Sequence, residues 1–176
     1  MRFTETRLAG AFLVEIEPRV DARGHFARTF CREEFARAGL PIDFPQCNLS
    51  FNDRRATLRG MHYQADPHPE GKLVRCTRGA IRDVIVDLRP GSPTFRQWIA
   101  VDLTQDNASA LYVPVGFAHG FQTLCDRSEV LYQMTEVYHP GLARGVRWND
   151  PAFGIEWPLA DPILSERDAA YPDFAA

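Results

Sequence analysis

A chain of 176 residues with a formal charge of −3 has the length of one domain and no global pull toward nucleic acid or an acidic membrane. A chain this long hides roughly 70% of the surface that its unfolded form exposes, so its core needs neither a disulfide nor a structural metal. The four cysteines, Cys31, Cys47, Cys76 and Cys125, form no Cys-x-x-Cys pair, which argues against a zinc ribbon and a dense disulfide scaffold.

The opening Met1-Arg2-Phe3-Thr4-Glu5-Thr6-Arg7 lacks the apolar run of a signal peptide. No later stretch approaches the ~18–20 apolar residues of a membrane span, so a cytoplasmic, soluble protein is expected. Phe12 to Ile16 reads as a first strand. Arg32 to Leu40 has helical spacing, with Phe35 and Leu40 on one side and Gly39 near its end. Gln46 to Phe51 and Thr57 to Gln64 read as strands. Leu73 to Thr77 and Ile81 to Leu88 are expected to pair across Arg78-Gly79-Ala80. After the Arg89 to Pro93 loop, further strands are expected at Trp98 to Leu103, Ala110 to Val113 and Gly120 to Leu124. Val130 to Tyr138 shows the clearest alternation. Leu164 to Ala170 reads as a short helix with a capping box, Ser165 as cap and Asp168 three residues on. Thirteen prolines and twelve glycines punctuate these runs. Many short strands at this spacing predict an all-β jelly roll with short peripheral helices, a single domain over 1–176. Such a barrel holds small ligands at its mouth.

Two segments stand out chemically. Leu58-Arg59-Gly60-Met61-His62-Tyr63-Gln64 puts an imidazole on a strand between two cations, Arg59 and Lys72. Imidazole changes charge near neutral pH, which suits proton transfer on an anionic substrate, although a hydrogen-bonded core histidine has the same local pattern. Pro114-Val115-Gly116-Phe117-Ala118-His119 has the Pro-x-Gly-x-x-His spacing of cupin barrels, where that histidine often binds metal. A metal site needs three or four ligands. The earlier strand carries His62-Tyr63-Gln64 with no second histidine two residues on, and His68 lies in the rigid Asp66-Pro67-His68-Pro69, so no metal is expected. Read alone, Lys72 is also a plausible strand-end charge, Tyr132 an interior aromatic and Asp168 a helix cap. Asp83 is a candidate for supporting one of these groups.

In this order and spacing the motifs resemble the dTDP-4-dehydrorhamnose 3,5-epimerase family, from about Gly10 to Pro172. The likeness rests on Asp21-Ala22-Arg23-Gly24-His25-Phe26, the Leu58 and Pro114 segments, Gly71-Lys72-Leu73-Val74-Arg75-Cys76 and Ser92-Pro93-Thr94-Phe95. It continues through Leu131-Tyr132, Trp148-Asn149-Asp150-Pro151, Gly154-Ile155-Glu156-Trp157-Pro158 and Leu164-Ser165-x-x-Asp168. The resemblance implies a cupin-type double-stranded β-helix, a homodimer without metal or cofactor, and a nucleotide-diphosphate sugar substrate of dTDP-rhamnose biosynthesis. It implies His62 as base, Asp168 as its orienting partner, Lys72 on the enolate and Tyr132 as acid on the opposite face. Arg23, Gln46, Asn48, Arg59 and His119 would contact the nucleotide sugar, Arg23 from across the dimer. Phe26, within the Arg23 motif, is taken with these contacts, and Tyr138, which shares a strand face with Tyr132, is a candidate to stack on substrate.

The chemistry fits that division. Protons next to a ketone are acidified, and inversion removes one and returns another from the opposite face, so one base on one wall is insufficient. Three positions depart from the family pattern. Arg28 and Ala143 stand where glutamate is usual, and Cys47 stands where Asp or Asn is usual. A changed nucleotide base, inversion of a single carbon, a metal-dependent cupin enzyme and a non-catalytic nucleotide-sugar binder therefore remain alternatives.

Overall fold

The computed structural model describes residues 1–174, and its regular structure is almost wholly antiparallel strands. Six form one sheet, in spatial order β1 (Arg2–Glu5), β2 (Phe12–Glu15), β10 (Ala110–Val113), β7 (Lys72–Arg78), β12 (Ser128–Met134) and β5 (Gln46–Asn52). Five form the other: β13 (Ala143–Gly145), β6 (Leu58–Gln64), β11 (Phe117–Thr123), β8 (Ala80–Asp87) and β9 (Trp98–Thr104). The expected jelly roll is thus present. A separate hairpin of β3 (Arg19–Asp21) and β4 (Gly24–Phe26) is exposed throughout.

The central strands are covered on both faces. Val74, Cys76, Leu111 and Val130 meet Ile81, Ile85, Leu103, Phe117 and Phe121 between the sheets. The outer face of the six-stranded sheet is roofed by Phe35 of α1 (Arg32–Arg37), packed on Val14, Leu73 and Tyr112. The outer face of the five-stranded sheet, with Val84, Val86 and Ala118, lies under the Val146 to Trp157 segment. Removing one of these rings, as in Phe117→Ala, is the kind of core truncation that costs about 3–5 kcal/mol.

This double coverage corrects one expectation. β7 and β8 do not pair with each other. β7 lies between β10 and β12 in one sheet, and β8 between β11 and β9 in the other. The chain crosses between sheets at Gly79, whose φ is +76° and whose position leaves no room for a Cβ, which would come 2.6 Å from Ser128 Oγ. Strands buried on both faces lose the clean inside–outside alternation, so the partner of such a run is not written in its own pattern. Smaller differences fall at strand ends. The last alternating strand stops at Met134 rather than Tyr138, and β11 begins at Phe117 rather than Gly120.

The tail ends in α2 (Glu166–Ala169). Ser165 Oγ accepts from the Asp168 amide at 3.1 Å, which is half of a capping box. The Asp168 carboxylate does not complete it, because it is engaged in the barrel.

Candidate active site

Inward side chains at one end of the barrel line a cavity of about 300 Å³. His62 and Arg59 reach it from β6 and His119 from β11, in the five-stranded sheet. Lys72 of β7, Tyr132 of β12, and Gln46, Asn48 and Ser50 of β5 reach it from the opposite sheet. Tyr138 stands at the rim, 49% exposed.

His62 is held from three sides. Its Nε2 lies 2.7 Å from Asp168 Oδ1, and Asp168 Oδ2 accepts from the Gly60 amide at 3.2 Å. Burial pushes the Asp168 pKa up, but the His62 hydrogen bond and charge and the Gly60 amide outweigh it and leave the carboxyl below its ordinary value. An ionised carboxylate only accepts, so Nε2 carries the proton and Nδ1 keeps the lone pair. The Tyr171 ring packs edge-on against the imidazole at 5.9 Å. It occupies the space above Gly145, which is paired with His62 and whose added Cβ would meet the ring at 2.4 Å. Gly60 and Gly120 sit back to back between β6 and β11: a Cβ on Gly60 would lie 2.6 Å from the Gly120 Cα. That close approach sets the height of His62 beside its cross-strand partner His119.

His119 has its own carboxylate. Its Nε2 lies 2.7 Å from Asp83 Oδ1, and both side chains are buried. Asp83 sits between Ile81 and Ile85 on the inner face of β8. Burial raises its pKa, and His119 offsets only part of that rise. The Tyr132 ring meets His119 at 6.2 Å and 82°. The Tyr132 hydroxyl is 3.2 Å from Ser50 Oγ. Burial pushes its pKa up, Ser50 and Arg59 counteract little of this, and nearby Asp83 adds to it, so the phenol is protonated at every working pH.

Lys72 is buried and ion-paired with Glu70, which is also nearly buried. Burial lowers the Lys72 pKa, against the opposing pull of Glu70. Arg59 Nε donates to Asn52 Oδ1 at 2.8 Å. Gln46 donates to Asn48 Oδ1 at 3.2 Å and accepts from the Tyr138 amide at 2.9 Å, which ties the rim to β5.

Of the residues singled out from sequence, His62, Lys72, Tyr132, Gln46, Asn48, Arg59, His119 and Tyr138 all line this cavity, and Asp168 backs it. Arg23 and Phe26 do not. They project from the exposed hairpin, where Arg23 pairs with Asp21 at 2.6 Å and Phe26 is 77% exposed. Of the three departures, only Ala143 touches the cavity. Arg28 pairs with Glu34 at 2.7 Å, and Cys47 is exposed on β5. Gln64, placed where a cupin metal ligand would stand, instead binds the backbone of His68, Val137 and His139. The sequence does not single out Glu70, Ser50 and Arg167, which line the cavity, or Tyr171, which backs His62. Glu70 was within reach, since an acid two residues before Lys72 shares its side of an extended chain. Nothing local marks Tyr171.

A family model described as dTDP-4-dehydrorhamnose 3,5-epimerase matches residues 5–176. A protein of that name from Methanothermobacter thermautotrophicus is 46% identical over 170 residues, 95% of this chain and 91% of its own length. The one from Pseudomonas aeruginosa is 45% identical over 174 residues, 97% and 95% of the two chains. Among solved structures, the Bacillus anthracis epimerase with TDP and pyrophosphate bound superposes with a TM-score of 0.96 at 40% identity, over 98% of this chain and 99% of that one. The Legionella pneumophila enzyme in complex with dTDP-4-keto-L-rhamnose superposes with a TM-score of 0.90 at 34% identity, over 99% of each.

Proposed function

We infer the residue roles from one premise: this chain belongs to the dTDP-4-dehydrorhamnose 3,5-epimerase family and is a cupin-type isomerase that epimerises a nucleotide sugar. The substrate is a dTDP-4-keto-6-deoxyhexose. His62 Nδ1 removes the proton from the carbon beside the C4 ketone, and Asp168 holds the ring and balances the imidazolium that forms. The Lys72 ammonium, paired with Glu70, faces the oxygen as it becomes an enolate. Tyr132 returns a proton from the other wall. A phenol with a raised pKa is a weak acid toward water, yet protonating an enolate carbon remains downhill. Gln46, Asn48, Arg59 and His119 hold the nucleotide sugar, and Tyr138 stacks on it at the rim.

The observation that carries this reading is the placement of His62 and Tyr132 on opposite sheets of one cavity. Incubation with dTDP-4-keto-6-deoxyglucose in deuterated water is expected to place deuterium at C3 and C5. Label at neither carbon overturns the reading, and label at C3 alone redefines the enzyme as a single-carbon epimerase.

The chain works as one domain in the cytoplasm and as a homodimer. The exposed hairpin supports the dimer: Val20 and Phe26 present apolar side chains to solvent, and Arg23 stands 90% exposed beyond them. Seated on a second copy, the hairpin covers those apolar groups and delivers Arg23 to the partner's nucleotide. Sedimentation at micromolar concentration is expected to give twice the chain mass, and Arg23→Ala to raise KM more than it lowers kcat. A monomer with full activity would discard both claims.

A further inference from the structure

We propose that His68, Glu136 and His139 form a binding site for a borderline divalent metal ion, zinc(II) above all, outside the catalytic groups. One donor atom from each residue lies within 4.8 Å of the other two. His68 Nδ1 is 3.5 Å from Glu136 Oε2, and the two imidazoles stack with centroids 4.2 Å apart and planes 15° apart. Two neutral imidazoles and one carboxylate suit zinc, nickel or copper and are a poor set for magnesium or calcium, which take oxygen. Three protein donors leave the fourth tetrahedral position to water.

The backbone beneath these donors is already fixed. A single side chain, Gln64, donates to the His68 carbonyl at 2.6 Å and to the Val137 carbonyl at 3.1 Å, and accepts from the His139 amide at 2.8 Å. The segment after β6 and the segment after β12 are therefore docked before any ion arrives. Glu136 Oε1 accepts from the Val137 amide at 2.8 Å, which leaves Oε2 facing His68. Donors around one tetrahedral ion stand ~3.3 Å apart, given bonds of ~2.0 Å. Closing the cluster to that size takes a roll of one ring, because parallel imidazoles aim their lone pairs side by side. The His68 side chain is 45% exposed and has room for it. The ion would then bridge the segment after β6 to the one that carries Tyr138 and lock the rim of the cavity.

Titration calorimetry on tag-free, chelator-stripped protein tests the site with zinc chloride alone. One ion per chain is expected, weakened at least tenfold by His68→Ala and by His139→Ala, and unaffected by His25→Ala on the distant hairpin. Cobalt(II) added to the same protein is expected to give a visible absorption band that zinc displaces and that Glu136→Gln alters. Absence of saturable binding overturns the proposal, as does binding that survives in the His68→Ala/His139→Ala double variant. Neither readout depends on turnover, so failure here leaves the epimerase reading standing, and failure of that reading leaves this one standing.

Discussion

The barrel holds two histidine–aspartate pairs side by side on neighbouring strands, both with a 2.7 Å contact, and their surroundings divide them. In the His62–Asp168 pair the imidazole is 39% exposed to the cavity, and its carboxylate receives a backbone amide as well. In the His119–Asp83 pair both partners are buried, and Asp83 Oδ2 has no hydrogen-bond partner among the described residues. The first carboxyl is stabilised as an anion and the second is pushed toward its neutral form. The same two residue types thus give a base ready to take a proton and a buried, polar strut. Solvent access and one extra amide decide which is which.

The largest effect expected from this contrast is kinetic. His62→Ala should lower deuterium exchange by roughly 10²–10⁴-fold, the range for loss of a general base. Asp168→Asn should move exchange in the same direction, because the amide favours the wrong tautomer. Exchange at wild-type rate in either variant would dissolve the distinction between the pairs. Next comes a stability effect at the other pair. His119→Ala leaves the buried Asp83 carboxyl without its partner, and an unsatisfied buried polar group typically costs about 1–3 kcal/mol, readable in urea unfolding. A smaller loss than for His62→Ala would reverse the assignment of strut and base. Tyr132→Phe separates the two halves of the reaction: inversion should drop ~10²-fold, the lower range for an acid, while exchange at the first carbon persists. The smallest effect is a pair of opposite pH slopes. The folded Asp168 pKa is depressed, so its stabilisation is present above the ordinary value of ~3.9 and fades as pH falls through the folded value. The folded Asp83 pKa is raised, so its contribution is greatest below ~3.9 and is lost as pH rises through the folded value. Asp168→Asn should flatten the first slope and Asp83→Asn the second, in unfolding measured from pH 3 upward.

The sequence carried the architecture and most of the cavity, for a physical reason. Short strands between turn residues mark a barrel, and groups such as His62, Lys72 and Tyr132 sit on strands whose inward positions follow from alternation. What it hid was partnership across distance. β7 and β8 are buried on both faces along most of their length, so nothing in either run chose its neighbour. Asp83 offered only its presence between two isoleucines, and its tie to His119 depends on the register of β8 with β11. Tyr171 supports His62 from the tail through the space left by Gly145, a relation between three separate segments. Local pattern placed Asp168 on a helix start, and the structure gives that cap to Ser165 alone and the carboxylate to the barrel.

The late position of Asp168 also separates the vessel from its reactivity along the chain. Every named strand lies at or before Gly145, whereas the carboxylate that readies His62 follows 23 residues later, at 168. A chain cut inside this interval keeps every named strand but leaves the His62 imidazole without its carboxylate, so it is expected to lose exchange even where it still folds.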